Sequence, residues 1–260
     1  MRRLILVACL TSISLLAMAQ SPFDGTWKIN TNTIQYPEKP DVYLLQNGMY
    51  DCKSCVPPVH VKADGTDQKV TGYPYFDTES VKVIDDRNVE TTAKKDGKVV
   101  GTAKRSVSSD GSTLTVDWAY SGNPSGGTQS GNYTSKRVAK GPEGANQISG
   151  SWRTEKEQDS DAVLTWTNKT SANALTMTTP TGQSYTAKLD GTETPMKGDP
   201  GVSTVQVKML GKDTLEQINL RDGKVIGISK MTVSADGKTA KLIYEDKLHG
   251  TTTKLDATKQ

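Results

Sequence analysis

The chain has 260 residues, with 32 Lys and Arg against 29 Asp and Glu, and 34% hydrophobic residues. This composition is typical of a globular protein, and a mean hydropathy of −0.55 excludes a protein with several membrane-spanning helices. The formal charge of +3 is too small to indicate binding to nucleic acid, and two histidines leave little scope for histidine-based catalysis.

The N-terminal segment, residues 1–19, has the pattern of a secretory signal peptide. Arg2 and Arg3 precede an apolar run, residues 4–16, and a small-x-small cleavage site ends at Ala19. The run is too short to cross a bilayer as a helix. The pattern predicts export to the periplasm or the cell exterior, and a soluble mature chain of charge +1 with no transmembrane segment, because both signal arginines are removed.

The mature chain keeps two cysteines, Cys52 and Cys55. A C-x-x-C pair can be a disulfide, a redox centre or half of a zinc site. The flanking residues, Asn47-Gly48 and Pro57-Pro58, indicate a loop between strands and not the helix N-terminus of a redox motif. A zinc site needs two more ligands, and His60 is the single histidine nearby. The pattern therefore favours a small structural disulfide, as is common in exported proteins.

The chain contains a long internal repeat. Residues 64–118 align without a gap to residues 190–244, at a constant offset of 126, and 20 of the 55 positions are identical. A domain-sized period is too long for a solenoid. We therefore predict a signal peptide (1–19), a first barrel (20–138), a Gly/Pro linker (139–148) and a second barrel (149–260).

Each copy has the pattern of an all-β protein. Asp-Gly pairs, typical of hairpin turns, separate short runs rich in Val, Thr, Ile and Tyr. Residues 112–120 alternate, with Leu114, Val116, Trp118 and Tyr120 on one face, which indicates a strand with one buried side. Residues 89–93 carry apolar side chains on both faces, which indicates either a bulge or an outer face covered by the other copy. We predict two tandem up-and-down antiparallel β-barrels of about 8–10 strands each.

The start of each copy resembles a known superfamily. Gly25-Thr26-Trp27 and Gly150-Ser151-Trp152 match the Gly-x-Trp that opens the first strand of lipocalins and fatty-acid-binding proteins. The whole chain also resembles exported bacterial proteins called lipocalin-like, whose function is unassigned. The resemblance implies that Trp27 and Trp152 plug the closed ends of the barrels.

The chain departs from that superfamily in two respects. Residues 31–41, with Pro37 and Pro40, have an extended pattern where fatty-acid-binding proteins insert two helices. No clear Arg-x-Tyr signature closes either copy. The barrel lid and the ligand preference of the superfamily are therefore not transferred to this chain.

Arg105 is the strongest candidate for ligand binding. It shares a strand face with Val99, Gly101, Ala103 and Val107, and the second copy has Met231 at its position. If this face is interior, Arg105 needs an anionic partner, which a ligand head group could supply. The alternatives are a position near the barrel rim or a protein partner such as Asp117. On the next strand, Trp118 is the second candidate ligand-binding residue.

The sequence contains no recognisable catalytic, metal or cofactor motif. His60 and His249 lie at non-equivalent positions of the two copies, the serines at 106–109 have no histidine partner, and no phosphate loop or dinucleotide fingerprint occurs. We therefore expect no enzyme activity, no metal and no cofactor.

Three functions remain open. The first is a non-enzymatic protein that binds a small apolar or amphipathic ligand in a barrel. The second is an envelope structural or protein-interaction module with filled barrels, and its partner would be another envelope protein. The third is a thiol-exchange enzyme that uses Cys52 and Cys55.

Overall fold

The computed structural model describes residues 21–260, so the predicted signal peptide lies outside the described residues. These residues form two nearly closed antiparallel barrels of ten strands each, as the sequence predicts. The helical content is one short turn, α1 (Asp161–Leu164). Within the described range, no helix is long and apolar enough to cross a membrane.

The first half of the chain contains ten strands. They are β1 (Gly25–Gln35), β2 (Asp41–Gln46), β3 (Met49–Cys52), β4 (Val59–Lys62), β5 (Gln68–Lys69), β6 (Thr78–Val83), β7 (Asn88–Lys95), β8 (Lys98–Val107), β9 (Thr113–Tyr120) and β10 (Gln129–Lys140).

The second half repeats this series. Its strands are β11 (Gly150–Asp159), β12 (Thr165–Ser171), β13 (Ala174–Thr178), β14 (Ser184–Lys188), β15 (Asp190–Pro195), β16 (Thr204–Met209), β17 (Thr214–Arg221), β18 (Lys224–Val233), β19 (Thr239–Asp246) and β20 (Thr251–Lys259).

The two barrels exchange their first strands. The first barrel contains β2 to β11, with β11 between β2 and β10, and the second contains β12 to β20 with β1 between β12 and β20. Isolated bridges, Asp64 to Lys82 and Ser184 to Lys197, lie at the seams where the sheets approach closure. The predicted barrel boundaries, 20–138 and 149–260, are therefore wrong for one strand of each barrel, although they describe the sequence repeat.

Local pairing explains the exchange. The predicted linker, 139–148, is a hairpin connection: β10 and β11 are antiparallel neighbours from Lys140 paired with Gly150 to Gly131 paired with Asp159. Closing this short loop costs less chain entropy than pairing β10 with β1, which is about a hundred residues away in sequence. The chain therefore crosses between barrels in two other places, at residues 36–40 and 160–164.

Each barrel has a tryptophan buried at the start of its exchanged strand. Trp152 on β11 is 1% exposed, and its indole Nε1 donates a 2.8 Å hydrogen bond to the Ile148 carbonyl. Trp27 on β1 is fully buried, and its indole makes the same bond to the Phe23 carbonyl, also at 2.8 Å. Because β1 and β11 are exchanged, the tryptophan of the first copy packs in the second barrel and that of the second copy in the first.

Cationic side chains cover both tryptophans. The Arg137 guanidinium lies 3.9 Å from the Trp152 ring centroid, and the Lys259 ammonium lies 4.9 Å from that of Trp27. Arg137 also donates to three carbonyl oxygens around the β10–β11 hairpin, those of Gly111, Gln147 and Ser149. The guanidinium therefore fastens the hairpin to the end of the first barrel.

The alternation predicted for residues 112–120 is confirmed in β9, where Leu114 and Val116 are almost fully buried. The predicted apolar residues on both faces at 89–93 are not found: the strand alternates regularly there, with Val89 and Thr91 buried and Glu90 exposed, and a bulge follows directly after this stretch. The register between β7 and β8 shifts between Ala93 and Lys94, and the β17–β18 register shifts at the equivalent position, between Asn219 and Leu220.

Candidate functional site

The second barrel contains a pocket of about 300 Å³. Its lining combines the exchanged strand, α1 and seven strands of the second half. The lining residues are Ile29, Val163, Thr165, Trp166, Asn168, Leu175, Met177, Thr179, Tyr185, Val207, Leu215, Gln217, Ser229, Met231 and Leu242.

Strand alternation makes this pocket apolar. Met231 on β18 faces Leu242 on β19 and Leu215 on β17 in neighbouring cross-strand pairs, so three large apolar side chains project from adjacent strands into the same barrel. Ile29 enters from β1, so the pocket wall is incomplete without the strand of the other copy. A concave apolar surface with few polar groups is the usual character of a small-molecule site.

The polar groups of this pocket are uncharged. The Tyr185 hydroxyl donates a 2.6 Å hydrogen bond to Gln217 Oε1, and Gln217 Nε2 donates to Asn219 Oδ1 at 2.7 Å. Burial raises the pKa of Tyr185 well above its ordinary value, so its phenol stays neutral. Asn168 is buried at 5% exposure, and its side-chain amide makes no hydrogen bond within residues 21–260.

The first barrel has a charged interior. Arg105 lies on β8 with its side chain inside the barrel, where Nη1 donates a 3.2 Å hydrogen bond to Thr91 Oγ1. Its guanidinium lies 5.5 Å from the ring centroid of Tyr43. Arg105 Nε is buried with no hydrogen-bond partner in the described chain. The strand face of Arg105 is therefore interior, which is the condition that the sequence analysis set for a role in ligand binding.

The alternative protein partner for Arg105 is excluded by the strand register. Asp117 pairs across the sheet with Lys104, on the outer face of β8, and is exposed. Among residues 21–260, no carboxylate lies within ion-pair distance of the guanidinium. Arg105 is thus not half of a salt bridge within the described residues.

Three tyrosines surround Arg105. Tyr43 and Tyr50 are buried on neighbouring strands, with ring centroids 6.3 Å apart, and Tyr133 enters from β10. Burial is the main cause that raises the pKa of all three phenols, to about 12 for Tyr50. The three rings therefore remain neutral and form a semi-polar wall beside the guanidinium.

Glu79 and Asp41 are the carboxyl groups whose charges act most directly on this cluster. Burial raises the pKa of both, while the positive charge of Arg105 opposes that shift. Glu79 Oε2 is buried with no hydrogen-bond partner among the described residues. The interior thus holds an unpartnered donor on Arg105 and an unpartnered acceptor on Glu79.

The two barrels carry chemically different side chains at equivalent interior positions. Arg105 corresponds to Met231 and Glu79 to Val205, both at the offset of 126. Tyr133 pairs with Val116 as Leu255 pairs with Leu242, so a tyrosine of the first barrel corresponds to a leucine of the second. The same backbone therefore encloses a charged interior in one barrel and an apolar one in the other.

A wider pocket of about 470 Å³ opens at the mouth of the first barrel. Trp118 lies on its wall with Phe76 and Tyr75, and Thr91 and Ala103 line its inner part. Thr91 also accepts a hydrogen bond from Arg105, so this side chain connects the pocket wall to the guanidinium, although Arg105 itself does not line the pocket. The structure thus brings the two predicted ligand-binding residues, Arg105 and Trp118, to the same end of one barrel.

The second barrel contributes to this mouth. The Tyr75 hydroxyl donates a 2.8 Å hydrogen bond to Asp199 Oδ1, and Tyr75 meets Tyr120 edge to face at 6.1 Å. Gly201 leaves the space that Tyr75 fills, because a Cβ there would lie 2.1 Å from the phenol oxygen. The barrels are therefore in direct contact beside the pocket.

An acidic pair lies near the same mouth. Burial and the adjacent Asp159 carboxyl raise the pKa of Glu157 to about 8. Asp159 Oδ1 is buried without a hydrogen-bond partner in residues 21–260, as is the Tyr36 hydroxyl. A Cβ on Gly131 would collide with Asp159 Oδ1 and would lie 2.9 Å from the Gln158 carbonyl oxygen, so a larger residue there would displace the Asp159 side chain.

The two described cysteines are bonded to each other, and each histidine lies beside an aspartate. Cys52 and Cys55 are joined by a disulfide between β3 and β4, as predicted. His60 contacts Asp51 at 2.5 Å and His249 contacts Asp246 at 2.7 Å, so each histidine pairs with an acid of its own copy. In the described range, no group of three or more His, Cys, Asp or Glu side chains is placed to hold a metal ion.

Comparisons with models of known protein families, with curated proteins and with solved structures gave no match.

Proposed function

We propose that this protein is an exported, non-enzymatic binding protein that holds a small apolar or amphipathic ligand inside its second barrel. The observation that carries the proposal is the apolar pocket of about 300 Å³ between Ile29 and Leu242. Small pockets of this kind bury most of a ligand's surface, and the transfer of that surface from water supplies the affinity.

The polar groups of the pocket support a neutral ligand. No ionised side chain lines the pocket, so burying a charged ligand group there would carry an uncompensated desolvation cost. The Asn168 amide offers a donor and an acceptor that no described protein group uses. We therefore propose a mainly hydrocarbon ligand with one uncharged hydrogen-bonding group.

Two further observations support the proposal that the chain is lipocalin-like and exported. The Gly-x-Trp tryptophans are buried at equivalent positions of the two barrels, as in the superfamily that the sequence resembles. The Cys52–Cys55 disulfide is of the kind that persists in oxidising compartments. Both features support a periplasmic or extracellular binding protein.

The test uses displacement of a neutral fluorescent probe, N-phenyl-1-naphthylamine. Leu242→Trp fills the pocket, and the matched control, Ile243→Trp, places the same side chain on the outer face of the same strand. We expect Leu242→Trp to weaken probe binding by at least about tenfold and Ile243→Trp to leave it within about twofold.

A second variant that fills the pocket keeps the test valid if Leu242→Trp does not fold. Ser229→Leu introduces a smaller side chain than tryptophan at another point of the same pocket and should also weaken binding. Equal probe binding by wild type, Leu242→Trp and Ser229→Leu, with all three folded by circular dichroism, would refute the proposal.

A further inference from the structure

The first barrel presents an unused hydrogen-bonding edge of Arg105. Nη1 is bound to Thr91, while Nε is buried without a partner and Nη2 makes no hydrogen bond within residues 21–260. In a guanidinium, the Nε–H and Nη2–H bonds point in the same direction and match the two oxygens of a carboxylate. The free edge of Arg105 is therefore shaped for a bidentate acceptor.

The surrounding charges argue against a simple anion. Glu79 and Asp41 both feel the charge of Arg105, so the cluster already contains two carboxyl groups for one cation. A ligand with a negative charge alone would add a third acidic group to a semi-buried site. A ligand that brings a positive charge with its carboxylate avoids this repulsion.

Glu79 supplies the complementary partner. Its Oε2 is a buried acceptor without a donor in the described chain, and leaving such an atom unpaired is costly. Glu79 and Arg105 form no direct ion pair within residues 21–260, so neither charged group already satisfies the other. An ammonium group donates to a carboxylate and accepts nothing, which fits Glu79 and not Arg105.

The adjacent pocket can hold the rest of such a ligand. Ala93, Gly101 and Ala103 are small residues that line this pocket, and Gly101 and Ala103 lie on the same face of β8 as Arg105. Phe76 and Trp118 line the outer part of the same pocket of about 470 Å³. Aromatic walls favour an apolar or aromatic side group.

We propose that the first barrel binds a small zwitterion, in the form of a free α-amino acid, with its carboxylate on Arg105 and its ammonium group on Glu79. The side chain of the ligand then points to Trp118 and Phe76. This site is separate from the apolar pocket of the second barrel, in which Met231 and Val205 replace Arg105 and Glu79.

Three related ligands test the proposal on the unaltered protein by isothermal titration calorimetry. L-Phenylalanine carries both charged groups, 3-phenylpropionate only the carboxylate and 2-phenylethylamine only the ammonium group. We expect phenylalanine to bind at least about tenfold more tightly than either of the others. Equal affinities, tighter binding of 3-phenylpropionate, or no binding of phenylalanine at millimolar concentration would overturn the proposal.

Variants then assign the two contacts. Arg105→Met, which introduces the residue of the second barrel, should reduce the affinity for phenylalanine to that for 2-phenylethylamine. Glu79→Gln should reduce it to that for 3-phenylpropionate. The matched control is Lys104→Met, on the exposed face of the same strand, which should leave binding unchanged. Phenylalanine affinities unaffected by both interior substitutions would contradict the assignment.

The second-barrel variant Leu242→Trp separates this proposal from the proposed function. It should weaken binding of N-phenyl-1-naphthylamine while phenylalanine binding remains as in the wild type. Loss of phenylalanine binding in Leu242→Trp would place the amino acid in the wrong barrel and would overturn the inference.

Discussion

Met231 occupies in the second barrel the position that Arg105 occupies in the first. Arg105 pairs with Val89 and Val116 on its neighbouring strands, and Met231 pairs with Leu215 and Leu242 in the same arrangement. This substitution between the copies replaces an interior cation by an apolar side chain without changing the register. The proposed difference in ligand between the barrels depends on this pair.

The strand exchange determines which fragments fold. Residues 41–159 contain every strand of the first barrel, while the equally long fragment 20–138 lacks β11 and carries β1, which belongs to the other barrel. We expect 41–159 to show a cooperative thermal transition by circular dichroism. Fragment 20–138 should melt at a lower temperature or without cooperativity, and an equal or higher transition temperature for 20–138 would contradict the exchange.

The buried tryptophans should carry much of the stability of each barrel end. Trp152→Ala removes a fully packed indole, the hydrogen bond to Ile148 and the contact with Arg137. We expect the free energy of unfolding, measured by urea denaturation, to fall by about 3–5 kcal/mol. Trp118→Ala at the open mouth is the control and should have less than half that effect. Similar losses of unfolding free energy in Trp152→Ala and Trp118→Ala would argue against Trp152 as the plug of the barrel end.

Glu157 should make stability depend on pH. Its folded-state pKa of about 8 exceeds its ordinary value of 4.5, so between these limits the folded protein holds a proton that the unfolded chain releases. The unfolded state then binds fewer protons, and stability falls as pH rises from about 5 to 8. Glu157→Gln should flatten this dependence, measured by urea denaturation across that range.

The matched control for the pH measurement is Glu155→Gln, an exposed neighbour on the same strand. It should keep the wild-type pH dependence. If Glu157→Gln and Glu155→Gln give the same slope of stability against pH, the raised pKa of Glu157 is not the cause of the dependence.

The Cys52–Cys55 disulfide closes a very short loop. The chain-entropy model gives about 2 kcal/mol for a loop of this length, less than for longer loops. We expect dithiothreitol to lower the free energy of unfolding by about this amount while the native circular dichroism spectrum is kept. Cys52→Ala/Cys55→Ala should be insensitive to dithiothreitol. Complete unfolding of the wild type on reduction would show a larger structural role.

Local signals in the sequence predicted the fold class but could not assign the first strands. Alternation at Leu114 and Val116 and the turn chemistry of the Asp-Gly pairs depend on neighbouring residues, and the structure confirms both. The partner of β10 is a non-local choice between two strands that carry the same Gly-x-Trp pattern. The repeat boundaries alone favour the pairing of β10 with β1. In the structure β10 pairs with β11, because each barrel takes one strand from the other copy.

The candidate sites were predictable to different degrees. Period two placed Arg105 on a strand face with Gly101 and Ala103, and this face proved interior. Glu79 was missed because its position beside Arg105 depends on the register of β6 and β7, which the sequence does not specify. A small apolar ligand in a barrel was among the expectations, but the residues that line the apolar pocket of the second barrel were not predicted, although the change from Arg105 to Met231 was a readable signal.

The exchange of first strands also has a meaning for the origin of the chain. If the β10–β11 hairpin were cut, each single-copy unit would hold the strand that completes the other's barrel, which is the relation between subunits of a domain-swapped homodimer. The two-copy chain makes that assembly covalent. The two halves of the chain therefore need not have identical sequences. Each barrel interior can acquire its own side chains, while a strand from the other copy still completes each barrel.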